Sequence, residues 1–139
     1  MPQARYLLDT NVLSETRRKQ ADANVMTFLS RVSPTSLYLS CLSVGELRKG
    51  VRLKSKSDPV AGKAIGNWVE GLEEHFGDRI LGIDVAIAKL WGEWSALRPR
   101  PVIDTLLAAT AVAHNLTLVT RNAKDIEDLP AKHLNPWMK

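Results

Sequence analysis

The chain is poor in cysteine, with Cys41 alone among 139 residues. A lone thiol excludes an internal disulfide and points to a reducing cytosol. The N-terminus lacks a basic-plus-apolar signal, and no apolar run approaches the roughly 18 residues of a membrane span. The expectation is a soluble, cytoplasmic protein with no membrane partner. No internal repeat, low-complexity tract or long linker divides the chain, so residues 1–139 are expected to form a single domain. A chain of this length buries a sizeable core without staples. No G-x-G-x-x-G follows a strand, and neither G-x-x-x-x-G-K-[ST] nor G-x-S-x-G occurs. These absences argue against dinucleotide, P-loop and serine-hydrolase chemistry. His75, His114 and His133 lack the spacing of zinc ligands. Acids are the minority charge, 15 against 19 lysines and arginines, and the net +4 is compatible with a polyanionic partner.

What is present is an alternation of short apolar runs with helical patterns. Tyr6–Leu8, Leu37–Cys41, Arg79–Ile83 and Thr117–Thr120 read as strands, with a last short one near Leu134. Between them, Asn11–Lys19, Asn24–Val32, Ser43–Lys54, Asp58–Phe76, Asp84–Leu97 and Val102–His114 read as helices. The last of these is apolar almost all round, as for a helix packed between other layers. Asn115 stands where a left-handed residue often ends a helix. Alternating strands and helices predict parallel pairing and helices on both faces of the sheet. Functional groups in such sheets gather outside the carboxyl ends of strands.

Acids stand at or near those ends. Asp9 follows the first strand in "YLLDTNVLSE". Glu46 lies about a turn into the helix after the second, Asp104 opens the apolar helix, and Asp125 lies in the loop after the fourth strand. Brought to one rim, such carboxylates repel one another and raise at least one pKa unless a cation neutralises them. Oxygen-only ligands suit a hard divalent ion, Mg²⁺ or Mn²⁺. Each acid also has a plainer reading. Asp9-Thr10-Asn11 fits a cap on the first helix, and Ser43-Val44-Gly45-Glu46 fits the capping box S-x-x-E. Asp104 suits a helix N-terminus by its charge alone. Asp125 and Asp128 suit turns, and Asp84 suits an N-cap while remaining a spare acid at the rim.

The pieces "LLDTNVLSE", "LSVGELRKGV" and "IDTLLAATAVAHNLTLVTRNAKDIEDL…LNPW", in this order and spacing, resemble the PIN-domain ribonucleases. Among these the pattern is similar to the VapC/FitB-like toxins of type II toxin–antitoxin pairs. The resemblance spans Leu7 to Trp137. It implies a three-layer α/β/α sandwich with a parallel sheet of four to five strands. It implies a Mg²⁺-dependent endoribonuclease, with Mn²⁺ as the other candidate ion, whose acids are Asp9, Glu46, Asp104 and Asp125. Asp9 and Asp104 would be the core metal ligands, supported by Thr10, Asn11, Thr120 and Asn122. It also implies an RNA substrate, a cognate antitoxin and a homodimer or higher oligomer. Ile126 departs from the family, which often carries a phenylalanine there.

Basic residues cluster near two of the acids: Arg17, Arg18 and Lys19, then Arg48, Lys49, Arg52, Lys54 and Lys56. They read either as a solvated helix face or as a phosphate track beside the metal site. Trp91 and Trp94 are expected to fill core or interface, and Trp68 to pack similarly. A phosphatase of the haloacid-dehalogenase kind needs a second acid where Asn11 stands. A phospho-acceptor receiver domain needs paired acids after the first strand and a lysine late in the chain, where Arg121 follows Thr120. The stronger rival is a non-catalytic RNA-binding module of the PIN fold, which would normally have lost some acids; this chain keeps all four.

Overall fold

The computed structural model describes residues 4–138. Five strands form one parallel sheet in the order β3-β2-β1-β4-β5. They are β1 (Tyr6–Leu8), β2 (Leu37–Ser40), β3 (Ile80–Leu81), β4 (Thr117–Val119) and β5 (His133–Leu134). The helices are α1 (Thr10–Thr16), α2 (Ala23–Arg31), α3 (Cys41–Ser57), α4 (Pro59–Phe76), α5 (Val85–Leu97) and α6 (Val102–Ala113). This is the α/β/α sandwich expected from the sequence. No helix among the described residues is long and apolar enough to cross a membrane.

Strand alternation splits the core in two. Leu7 and Leu118 point to one face, where they pack with Ile87 and Trp94 of α5 and with Leu107, Ala108 and Ala111 of α6. Leu8, Leu39 and Val119 point to the other, against Val12 of α1, Val25 of α2, Leu47 of α3 and Val69 of α4. Small residues let α6 sit close on the sheet, and Ala108, Ala109 and Ala111 are fully buried. The chain winds from β1 outward to β2 and β3, then crosses back to place β4 on the other side of β1. The reversal between β1 and β4 opens a crevice at the carboxyl ends of both strands.

Local signals set the boundaries. Asp58 caps α4 by accepting from Ala61 N–H at 3.1 Å, and Pro59 occupies the first turn, where its missing N–H costs nothing. Asp84 caps α5 by accepting from Ile87 N–H at 3.0 Å. Asn115, with φ 54°, ends α6 in the left-handed region as expected. Several bounds differ from the sequence reading: α3 runs Cys41–Ser57 rather than Ser43–Lys54, and two further differences have a visible cause. β3 is two residues long rather than five, because Arg79 lies in a 3₁₀ turn whose guanidinium donates to the carbonyls of Pro34 and Leu37, each at 2.7 Å. α1 stops at Thr16, leaving Arg17, Arg18 and Lys19 beyond its end.

Candidate active site

Asp9 leaves β1 at the centre of the sheet. Its N–H still donates to Val119 O at 2.9 Å, which fixes the residue beside the end of β4. It stands at the N-cap position of α1 but makes no capping hydrogen bond, so the cap reading of Asp9-Thr10-Asn11 is corrected. The reason is a better partner: its Oδ2 accepts from Thr120 Oγ1 at 2.7 Å, with Asp9 4 % and Thr120 3 % exposed. Thr120 Oγ1 in turn accepts from Asn122 N–H at 3.0 Å. The hydroxyl after β4 thus orients the carboxylate after β1.

Thr10 does the same for Glu46. Its Oγ1 donates to Glu46 Oε1 at 2.6 Å and lies 3.0 Å from Ser43 Oγ. The expected capping box is not formed. β2 runs into α3 without a loop, so the cap falls on Ser40, whose Oγ accepts from Leu42 N–H at 3.1 Å. Ser43 lies inside the helix, fully buried, and faces Thr10. Sequence reasoning missed this role for Ser43; the signal was Ser40, an earlier cap candidate at the strand end.

Asp104 sits half-buried in the first turn of α6. Its pKa is pushed up to about 6, first by burial, then by the charges of Asp9, Asp125 and Glu46, and by a hydrogen bond with Asp125. One carboxyl that feels three others places all four acids in one region, at the sheet's topological switch. Among the described residues none of the four enters an ion pair, although Arg98 lies near enough to Asp125 for their charges to act on each other. Carboxylate and hydroxyl oxygens are the donors a hard divalent cation prefers. Their spacing is open: among the described residues no three His, Cys, Asp or Glu side chains stand close enough to enclose an ion. Asn11 and Asn122 are exposed at the border of this region. Asp84 caps α5 and is not among the charges that act on Asp104.

The PIN domain family model matches residues 6–132. The chain belongs to the PIN domain family. It is 33% identical to Toxin FitB of Neisseria gonorrhoeae, over 94% of this chain and 97% of that protein. It is 31% identical to the VapC ribonuclease Y4jK of Sinorhizobium fredii, over 94% and 96%. The crystal structure of FitAcB from Neisseria gonorrhoeae superposes with a TM-score of 0.81 at 30% identity, covering 96% of this chain and 99% of that one.

In this PIN domain a clamp that the sequence did not reveal joins two acid-bearing segments. The Arg100 side chain, 1% exposed, holds both Asp128 oxygens, at 3.0 and 2.8 Å. Arg98 holds the same carboxylate from outside, at 3.0 and 3.2 Å, and donates to Asp125 O at 3.4 Å. Asp128 is therefore no plain turn residue, and the two arginines hold its carboxyl well below the usual range. The clamp ties the "RPRP" segment before Asp104 to the loop that carries Asp125.

The basic residues divide. Arg48 is paired with Glu73, its Nε 2.8 Å from Oε2, and Arg18 approaches Glu15 at 3.4 Å. Arg17, Lys19, Lys49 and Arg52 are exposed.

The raised pKa of Asp104 gives the metal-free PIN domain a pH dependence. Below roughly pH 4 the carboxyl is protonated folded and unfolded alike and contributes nothing. As pH rises towards about 6, the unfolded chain ionises first, so stability falls. For a half-buried group screened by solvent the loss is about 1 kcal/mol. Thermal unfolding in EDTA between pH 4 and 7 is expected to show it. Millimolar Mg²⁺ should reverse the loss at the upper end, because a ligand bound only by the folded state stabilises it.

Proposed function

We propose that this PIN domain is a divalent-metal-dependent endoribonuclease, the toxin of a toxin–antitoxin pair, active as a homodimer and silenced by its cognate antitoxin. The observation that carries the reading is Asp104, whose ionisation is opposed by Asp9, Asp125 and Glu46 at the mouth of the sheet, none of the four standing in an ion pair among the described residues. The ribonuclease and toxin named among its relatives support it.

Asp9 and Asp104 would hold the ion. Bound there, a divalent cation lowers the pKa of a water and counters charge building on the scissile phosphate. Glu46, fixed by Thr10, and Asp125, fixed through the clamp, orient the attacking water and accept its proton. Water attacks phosphorus, the new P–O bond forms, the bond to the leaving oxygen breaks, and that oxygen takes up a proton from solvent. Thr120 keeps Asp9 in one rotamer throughout. Asn11 and Asn122 line the approach at the exposed border. Arg17, Lys19, Lys49 and Arg52 supply positive charge for the RNA backbone on the α1 and α3 side, while Arg18 and Arg48, held by Glu15 and Glu73, contribute less.

The test is to sequence the RNA ends made by the purified protein with Mg²⁺, with EDTA and with Asp9→Asn. Cleavage at defined positions is expected only for the wild type with Mg²⁺. Cleavage that survives EDTA, or undiminished cleavage by the variant, overturns the reading. RNA binding without cleavage would instead favour a non-catalytic module.

A further inference from the structure

Two of the four acids, Asp104 and Asp125, stand on segments with little local support. α6 starts at Val102, and among the described residues no side chain caps it: Pro101 occupies the N-cap position, and Asp104 follows in the first turn. Asp125 ends a single 3₁₀ turn, Ala123–Asp125, whose N-cap residue Asn122 also makes no side-chain capping bond. Ile126 is buried and anchors that turn in the core. An apolar contact is non-directional, so it leaves the aim of the neighbouring carboxylate open. What joins the two segments by directional bonds is the clamp on Asp128. Arg100 is its buried member. Its Nε donates to Trp94 O of α5 at 2.9 Å, while Nη1 and Nη2 donate to the two Asp128 oxygens. One planar fork therefore ties the end of α5, the approach to α6 and the loop after β4. Arg98 closes the clamp from outside, on Asp128 and on the carbonyl of Asp125.

The chemistry of the clamp suits placement better than stability. Desolvating a guanidinium opposes much of the gain from pairing it, and an apolar side chain of similar volume often serves stability as well or better. What the apolar side chain lacks is direction, which a two-pronged arginine–carboxylate contact supplies. Charge argues the same way. Two arginines on one aspartate leave the clamp net positive, and Arg98 is near enough to Asp125 for their charges to interact. A net positive group beside a site for a cation weakens binding through charge. The benefit of keeping it there lies in where it holds the acids.

We propose that Arg100, Asp128 and Arg98 are positioning residues of the metal site: their clamp holds the start of α6 and the loop after β4 together, and so sets the affinity of Asp104 and Asp125 for a divalent ion. The proposal rests on the metal-dependent reading and adds to it three residues outside the four acids. None of the three touches the ion or the RNA; each acts through the segments it ties.

The experiment measures Mn²⁺ binding by calorimetry at pH 7.5, on the full chain and its variants, with Tm in EDTA recorded for each. Charge and placement predict opposite signs. By charge alone, Arg100→Met and Arg98→Gln each remove a cation and tighten Mn²⁺ binding. By placement both weaken it: Arg100→Met at least about tenfold, as for other groups that orient metal ligands, and Arg98→Gln by less. Arg100→Lys keeps the charge but not the fork, and should weaken binding as well. Asp128→Asn should match Arg100→Met, and the double variant should bind within about twofold of either single, because each change opens the same clamp. If Asp128→Asn fails to fold with Arg100 left buried and unpaired, the double variant, which removes both charges, and Arg98→Gln decide. Unchanged or tighter Mn²⁺ binding by folded Arg100→Met, whatever its Tm, overturns the positioning role and leaves the metal-dependent reading standing. Lower Tm with unchanged affinity is the pattern of a purely structural clamp. A wild type that binds no Mn²⁺ overturns the metal-dependent reading itself, and the positioning role with it.

Discussion

Asp104→Asn should lower RNA cleavage at least a hundredfold while making the metal-free protein more stable at neutral pH. The two effects have one cause. Asp104 is the carboxyl whose ionisation is opposed by burial and by Asp9, Asp125 and Glu46, which holds its pKa at about 6. At pH 7 to 8 the wild type carries that charge at a cost, and asparagine removes the charge without changing the shape of the side chain. The expected gain is about 1 kcal/mol after solvent screening, or a rise in Tm of about 3 °C. The loss of activity follows because the amide is a poor ligand for a hard cation. Even outer partners of metal ligands are worth about 10- to 100-fold, and a direct ligand is worth more. A purely structural Asp104 gives the opposite pattern: lower stability and activity that falls only with the folded fraction. Thermal unfolding and cleavage rate, measured on one preparation, separate the two.

The second large effect lies far from the acids. Gly62→Val should destabilise the protein by about 3 kcal/mol and lower Tm by about 10 °C. Gly62 is buried in the first turns of α4, against α3. A Cβ there would lie 2.7 Å from Ser55 Cα and 2.9 Å from Ser55 Cβ, besides striking Ser55 Oγ. The obstacle is the backbone of α3, which no rotamer change removes. Ser55 is itself committed, its Oγ donating to Val51 O at 2.8 Å. The two helices would have to separate, opening the core cluster to which α3 contributes Leu47 and α4 Val69. Gly71, on the same helix, is the control. A Cβ there meets nothing within 4 Å, so Gly71→Ala should stabilise by about 0.5–1 kcal/mol through helix propensity. Opposite signs for two glycines of one helix are the expected result of chemical or thermal unfolding.

The legible part of this molecule was the part encoded locally. The run Tyr6–Leu8 ending in Asp9 announced a strand aimed at a rim, and the apolar band of Val102–Ala113 announced a helix between layers. Asp58-Pro59 and Asp84 marked helix starts as capping chemistry requires. The four acids could be nominated because strand ends in a parallel sheet converge. The illegible part was what depends on pairing across the chain. Thr120 was nominated through the family resemblance alone, since nothing near it says that its hydroxyl serves a residue 111 positions earlier. Asp128 looked like a turn because its partners, Arg98 and Arg100, lie 30 and 28 residues away. At Ser43 a local motif misled, since S-x-x-E matched while the helix started earlier at Ser40. The edge strand β3 was overread because Arg79 is drawn into a 3₁₀ turn and the neighbouring β2 supplies ladder partners for two residues only, neither of which is written in the local sequence.

The central claim is that Asp9, Glu46, Asp104 and Asp125 gather to bind a divalent ion. Calorimetric titration of Mn²⁺ at pH 7.5 into the wild type, Asp9→Asn and Asp104→Asn tests it without any RNA. Saturable binding by the wild type and at least tenfold weaker binding by each variant are expected. Equal Mn²⁺ affinity in all three proteins, each shown to be folded, would contradict it.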